Sequence, residues 1–149
     1  MKYAIVRDDP KTDPFLEDML SVVNGDKVIS GIGERPAIDH LTQFGLCAFT
    51  SGSVCVGPAS STAILKALKR GDINEAARLR ELFMPLEDLR DGISPLRVLH
   101  AAVHLAGIAD TGPLQPYLAN ITDAKQLADI ERAAKALLAA DKQTLAKAA

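Results

Sequence analysis

Tryptophan is absent, and aromatic residues make up only 4% of the 149 positions. That scarcity counts against base-stacking surfaces for nucleic acid and against flat aromatic platforms for sugar rings. No excess of positive charge compensates: the net charge is −2, too little of either sign to suggest a polyanionic or membrane-surface partner. Long apolar runs are also missing, so no segment reaches the ~18–20 residues of a membrane span. The opening MKYAIVRDDP has one Lys and a very short apolar stretch before two Asp, which does not read as a secretory leader. There are only two cysteines, Cys47 and Cys55, in one apolar segment. If that segment is extended, they stand roughly 26 Å apart, too far for an internal bridge. They read as reduced and buried, in a cytoplasmic protein.

What is present is aliphatic. Hydrophobic residues are 48% and charged residues 24% of the chain, the balance of a soluble globular domain whose core rests on Leu, Ile, Val and Ala. Asp13-Pro14 is a cap and first-turn proline before a helical run of Phe15, Leu16, Met19, Leu20 and Val23, closed at Asn24-Gly25. Lys27 to Ser30 reads as a short buried strand, Pro36 to Phe44 as a helix, Leu46 to Ser51 as a second strand, and Ser60 to Arg70 as a helix ended by Gly71. Short apolar strands alternating with helices predict a parallel sheet covered by helices.

After Gly71 only helices are predicted. Asp72 and Glu75 form a capping box before Leu79, Leu82, Phe83, Leu86 and Leu89, with a kink expected at Pro85. Ser94-Pro95 opens a helix whose Leu96, Leu99, Val103 and Ala106 are expected to face inward. Asp123 and Gln126 box a last helix carrying Leu127, Ile130, Ala134 and Leu137, and the tail beyond Ala139 is expected to fray. Lys2 to Val6 reads as the end of a strand that has no beginning.

Four segments in order carry a family resemblance. Met1-Lys2-Tyr3-Ala4, Val28-Ile29-Ser30-Gly31 and Gly45-Leu46-Cys47-Ala48-Phe49-Thr50-Ser51-Gly52 are similar to the sixth, seventh and eighth strands of the dihydrodipicolinate synthase / N-acetylneuraminate lyase family. Gly112-Pro113-Leu114-Gln115-Pro116-Tyr117-Leu118 resembles the loop after its penultimate helix. The third segment is most similar to the branch containing 5-dehydro-4-deoxyglucarate dehydratase. The match runs from Lys2 to about Leu118, with departures: Gln115 stands where Arg is common, Tyr117 where Pro is common, and Cys55 where the family usually has Asn.

The resemblance implies an α/β fold: a partial (β/α)8 TIM barrel in residues 1–71, followed by a helical region in residues 72–149 of the same domain. It implies a Schiff-base lyase acting on a 2-oxo sugar acid, as dehydratase or aldolase, with neither cofactor nor metal. Lys2 would be the imine-forming amine, and Gly31 and Ser51 the substrate contacts. The family's catalytic tyrosine and carboxylate-binding hydroxyls would fall upstream of Met1. Such barrels take about 250 residues. The chain is therefore expected to be a truncated form, a remnant, or the product of a start site placed too late. As a non-catalytic fragment it would associate with a second copy or with a complementary barrel fragment.

By position alone, each residue has a plainer reading. Lys2 is a solvated lysine near a terminus. Gly31-Ile32-Gly33-Glu34 is a strand-to-helix turn with an acid at the helix start, and the Thr50-Ser51-Gly52-Ser53 hydroxyls satisfy a turn. His100 and His104 stand at i, i+4 beside Arg97, which is metal-ligand spacing. Without an accompanying glutamate the stripe reads as solvated or interfacial, and His40 has no signature.

Overall fold

The computed structural model describes residues 1–148; Ala149, the last residue of the expected helical region, lies outside them. Three two-residue strands, β1 (Lys2–Tyr3), β2 (Ile29–Ser30) and β3 (Ala48–Phe49), form a sheet in the order β1-β2-β3. Both pairings are parallel, with Lys2 beside Ile29 beside Ala48 and Tyr3 beside Ser30 beside Phe49. The ladder continues past the strands, since Gly31 N donates to Tyr3 O, Thr50 N to Ser30 O, and Gly33 N to Thr50 O. Helices α1 (Pro14–Leu20) and α2 (Ala37–Thr42) make the crossovers. The remaining helices are α3 (Pro58–Lys69), α4 (Ile73–Arg80), α5 (Met84–Gly92), α6 (Pro95–Leu105) and α7 (Ala124–Ala148).

Alternation along parallel strands separates two faces. Tyr3, Ser30 and their row face the covering helices, where Tyr3, Leu16, Val28 and Leu46 form a small core. Asp13 ties that core to the sheet. Its carboxylate caps α1 through Leu16 N at 3.0 Å, accepts from Arg7 at 3.0 Å and takes the Tyr3 hydroxyl. Burial and this carboxylate push the Tyr3 phenol up to about 12. Burial raises the Asp13 carboxyl, but the hydrogen bonds from Arg7, Tyr3 and Leu16 outweigh it and hold the group below its usual range.

The large core lies between α3, α4, α5, α6 and α7, around Phe83, Ile64, Leu79, Leu86, Ile130 and Leu137, all fully buried or nearly so. Each such side chain contributes about 1.5–3 kcal/mol of apolar burial.

Several expectations need correction. Pro85 breaks the helix rather than bending it: α4 stops at Arg80 and α5 begins at Met84, with the proline in its first turn. A proline there has no N–H to continue the ladder, and a first turn is where that loss costs least. Lys27 belongs to a 3-10 turn and not to a strand. In α6 the buried pair is Val98 and Ala102, while Leu96 is 53% exposed and Leu99 and Val103 are only half-buried. The apolar stripe chosen from spacing is thus one turn-face away from the packed one. Cys47 is half-buried and Cys55 exposed, because Cys55 sits in a 3-10 turn after β3 rather than in a strand; both thiols are free.

The tail beyond Ala139 does not fray, since α7 runs to Ala148. Its Asp141 is 5% exposed and accepts from Ser60 N at 2.6 Å, and Thr144 meets the Ser60 hydroxyl at 3.0 Å. The residue before α3, Gly57, has no side chain to cap it. A carboxylate from the last helix supplies that cap and complements the positive end of the α3 dipole. Asp141→Ala is expected to lower the unfolding free energy by about 1–2 kcal/mol in urea titration, whereas Lys142→Ala, at an exposed position of the same helix, changes it by less than about 0.5 kcal/mol.

Candidate functional site

The strand ends that follow Tyr3, Ser30 and Phe49 all leave the sheet on one side, as parallel pairing requires. Lys2 and Gly31 meet there. Lys2 pairs with Ile29, and Gly31, two positions on, returns to the same face one step further along the ladder. The lysine side chain lies directly over it: a Cβ added to Gly31 would fall 2.7 Å from Lys2 Cγ and 3.0 Å from its Cδ. Only a residue without a side chain leaves the lysine that path.

Ser51 is placed differently. Its hydroxyl donates to Glu34 Oε2 at 2.5 Å and accepts from Val54 N at 3.2 Å, so it closes a turn and holds a carboxylate. Alternation along β3 puts Thr50, rather than Ser51, on the Lys2 face. A small cavity of about 250 Å³ opens beside this rim, lined by Gly31, Gly52, Arg90, Asp91, Pro95 and Leu99 among others, with neither Lys2 nor Ser51 in its wall.

Behind the rim is a buried polar cluster that the sequence reading did not find. Glu34 and Glu87 are both fully buried. Glu34 accepts from Ser51 and, at 2.7 Å, from Ser61 on α3. Glu87 on α5 accepts from Ser53 at 2.7 Å, from Arg90 Nη1 at 2.5 Å, and from Arg35 N at 3.3 Å. Arg90 also donates to Ile32 O at 2.8 Å and pairs with Asp91 at 2.9 Å. Gly33, at φ 108°, passes so close that a Cβ would lie 2.7 Å from Arg90 Nη1 and 2.8 Å from Glu87 Oε2. Both its backbone angle and its neighbours exclude a side chain. On the surface, Arg35 reaches back to Asp88 and Asp91 of α5.

Desolvation dominates the electrostatics here. Burial pushes the Glu34 carboxyl above the ordinary glutamate range, against the Ser51 and Ser61 hydrogen bonds. Burial pushes Glu87 up to about 7; the Arg90 charge opposes this and the Glu34 charge adds to it. The expectation that Glu34 merely opens a helix is therefore corrected: it is a buried, hydrogen-bonded group. A signal for Glu87 exists in the sequence. Phe83, Leu86, Glu87 and Arg90 share one helical face, and two charges on an otherwise apolar face point to a buried pair.

The histidines are apart from this rim. His40 is buried under the sheet, with Nδ1 2.8 Å from the Ser30 hydroxyl and Nε2 unpartnered, and burial lowers its pKa. His100, His104 and Arg97 line a separate cleft of about 410 Å³, where His104 Nδ1 is 3.5 Å from Asp110. Among the described residues no group of three or more His, Cys, Asp or Glu could hold a metal ion, and no helix is long and apolar enough to cross a membrane.

No protein-family model matches the chain, and neither does any curated protein sequence. Among solved structures, the chain is similar to dihydrodipicolinate synthase from Oceanobacillus iheyensis, with a TM-score of 0.66 and 24% identity. The match covers 89% of this chain and 44% of that enzyme, so the chain spans less than half of its length. The likeness is one of fold: an α/β arrangement with few strands and mostly helices, similar to that enzyme.

A carboxyl whose folded-state pKa exceeds its unfolded one binds its proton more tightly when folded. That stability is fully present below the ordinary glutamate pKa and is lost as pH rises through about 7 for Glu87. Between about pH 5 and about pH 8 the wild-type chain is expected to lose roughly 2–3 kcal/mol of unfolding free energy from this group. Glu87→Gln flattens that slope in urea titrations at the two pH values.

Proposed function

We propose that this chain is the C-terminal part of a (β/α)8 Schiff-base lyase of the dihydrodipicolinate synthase / N-acetylneuraminate lyase type, with Lys2 as the imine-forming amine. In this reading residues 1–71 are the last βα units of the barrel and residues 72–149 its helical extension. The observation that carries it is the Lys2–Gly31 approach at the C-terminal ends of parallel strands, where sites in this architecture are built. The likeness in fold to dihydrodipicolinate synthase supports it.

The chemistry needs the neutral amine to attack the carbonyl carbon of a 2-oxo acid. Water leaves, and the iminium then draws electrons from the adjacent carbon, so that a neighbouring C–O or C–C bond can break. Gly31 contributes by leaving the lysine stem an unobstructed path along the sheet. The Ser51 proton is already donated to Glu34 and one lone pair is taken by Val54 N. These bonds, and its place off the Lys2 face, count against Ser51 as a substrate contact. Dehydration is preferred over aldol cleavage because of the eighth-strand resemblance from Gly45 to Gly52.

Borohydride reduction in the presence of pyruvate or a 2-oxo sugar acid, followed by peptide mapping, tests this. The expected adduct is on Lys2, is lost in Lys2→Ala, and forms more slowly by a factor on the order of ten or more in Gly31→Ala, whose methyl displaces the lysine stem. Labelling spread over other lysines, or unchanged in Lys2→Ala, would remove the reading.

A second reading, a non-catalytic association module, is favoured by the open edges of β1 and β3 and by exposed apolar side chains at Met1, Val6 and Leu96. Sedimentation velocity on the 149-residue chain is expected to show a dimer or larger species. A dispersed monomer at all concentrations would count against it.

A further inference from the structure

Away from the strand rim, helices α3, α4 and α7 enclose a cleft of about 440 Å³. Lys66 reaches it from α3, Arg70 from the residue that caps α3, Arg78 from α4 and Lys147 from α7. Its single acidic group is Glu75, which Arg78 grips with two hydrogen bonds of 2.7 Å each. That pair is internally neutral. Lys66, Arg70 and Lys147 make no ion pair among the described residues, so three positive charges face one concavity in a protein of net charge −2.

Basic residues in the last turns of α3, α4 and α7 complement the negative ends of those helix dipoles. This accounts for each residue singly. It does not require them to face one space, and Lys69, also in the last turn of α3, does not line the cleft. The fields do converge. The Arg78 hydrogen bonds hold the Glu75 carboxyl low, and the charges of Arg78, Lys147 and Arg70 lower it further.

A concave surface lined by one sign of charge concentrates its field and attracts the opposite ion. Arg70 brings a planar fork suited to phosphate oxygens, the two lysines bring point charges, and Gln143 in the same wall adds a neutral amide donor. The floor is apolar, formed by Ala63, Leu79 and Leu82. We propose that this cleft binds a small, multiply charged anion of the phosphate-ester or pyrophosphate class, held by Lys66, Arg70 and Lys147 with Gln143. The site is independent of the Lys2 chemistry.

The test is a titration of the 149-residue chain with inorganic pyrophosphate at low ionic strength, followed by backbone amide NMR. Saturable shifts are expected at Lys66 to Arg70 and Gln143 to Lys147. The double variant Lys66→Gln, Arg70→Gln should bind at least about tenfold more weakly, while Lys69→Gln, one turn-face away, should stay within about twofold of wild type. Non-saturable shifts, equal weakening by Lys69→Gln, or shifts centred elsewhere would overturn the proposal. A second arm offers vesicles bearing anionic phospholipid. Co-sedimentation abolished by the same double variant would assign the cleft to a lipid headgroup and overturn the small-anion source.

Discussion

Two carboxyl groups taken out of water set the terms for the strand rim. Glu34 and Glu87 are fully buried, and a buried acid persists only where donors surround it or where it keeps its proton. The donors come from four places in the chain: Ser61 on α3, Ser51 and Ser53 after β3, the Arg35 amide after β2, and Arg90 on α5. Satisfying the two acids therefore fixes both strand-end loops against two helices. The strands are too short to do this themselves, with two residues each. The position of Gly31 under Lys2 depends on that outer layer as well as on the ladder.

The same network explains why the two candidate substrate contacts differ. Gly31 belongs to the sheet face that carries Lys2, and its role is to be small. Ser51 belongs to the layer that neutralises Glu34, and its role in the fold is to donate.

Much of the architecture was legible from local signals. Asp13-Pro14, Asp72 with Glu75, and Asp123 with Gln126 marked three helix starts, and in each the aspartate accepts from the expected backbone N–H. The alternation of short apolar strands with helices predicted parallel pairing, and the pairing is parallel. What could not be read was whatever depended on distant partners. Val98 and Ala102 are buried because of how α6 meets α5 and α7, and Leu96 has the stronger hydrophobicity but the wrong side of that contact. Glu34 had a sufficient local explanation, so nothing nearby pointed to Ser61, 27 residues on. The Ala- and Lys-rich tail had low complexity and one aspartate, and only the unsealed start of α3 gives that aspartate a purpose.

That seal has a consequence for how the polypeptide acquires its shape during synthesis. Ser60 and Asp141 are 81 residues apart. At translation speeds of roughly 5–20 residues per second, the first turn of α3 waits several seconds for its negative partner. Throughout that interval the helix that sits at the centre of the larger core is held by its apolar face and by the Ser61 bond to Glu34. The closing segment is thus a latch on an element made much earlier, and nascent chains lacking it carry an uncapped, electropositive helix end.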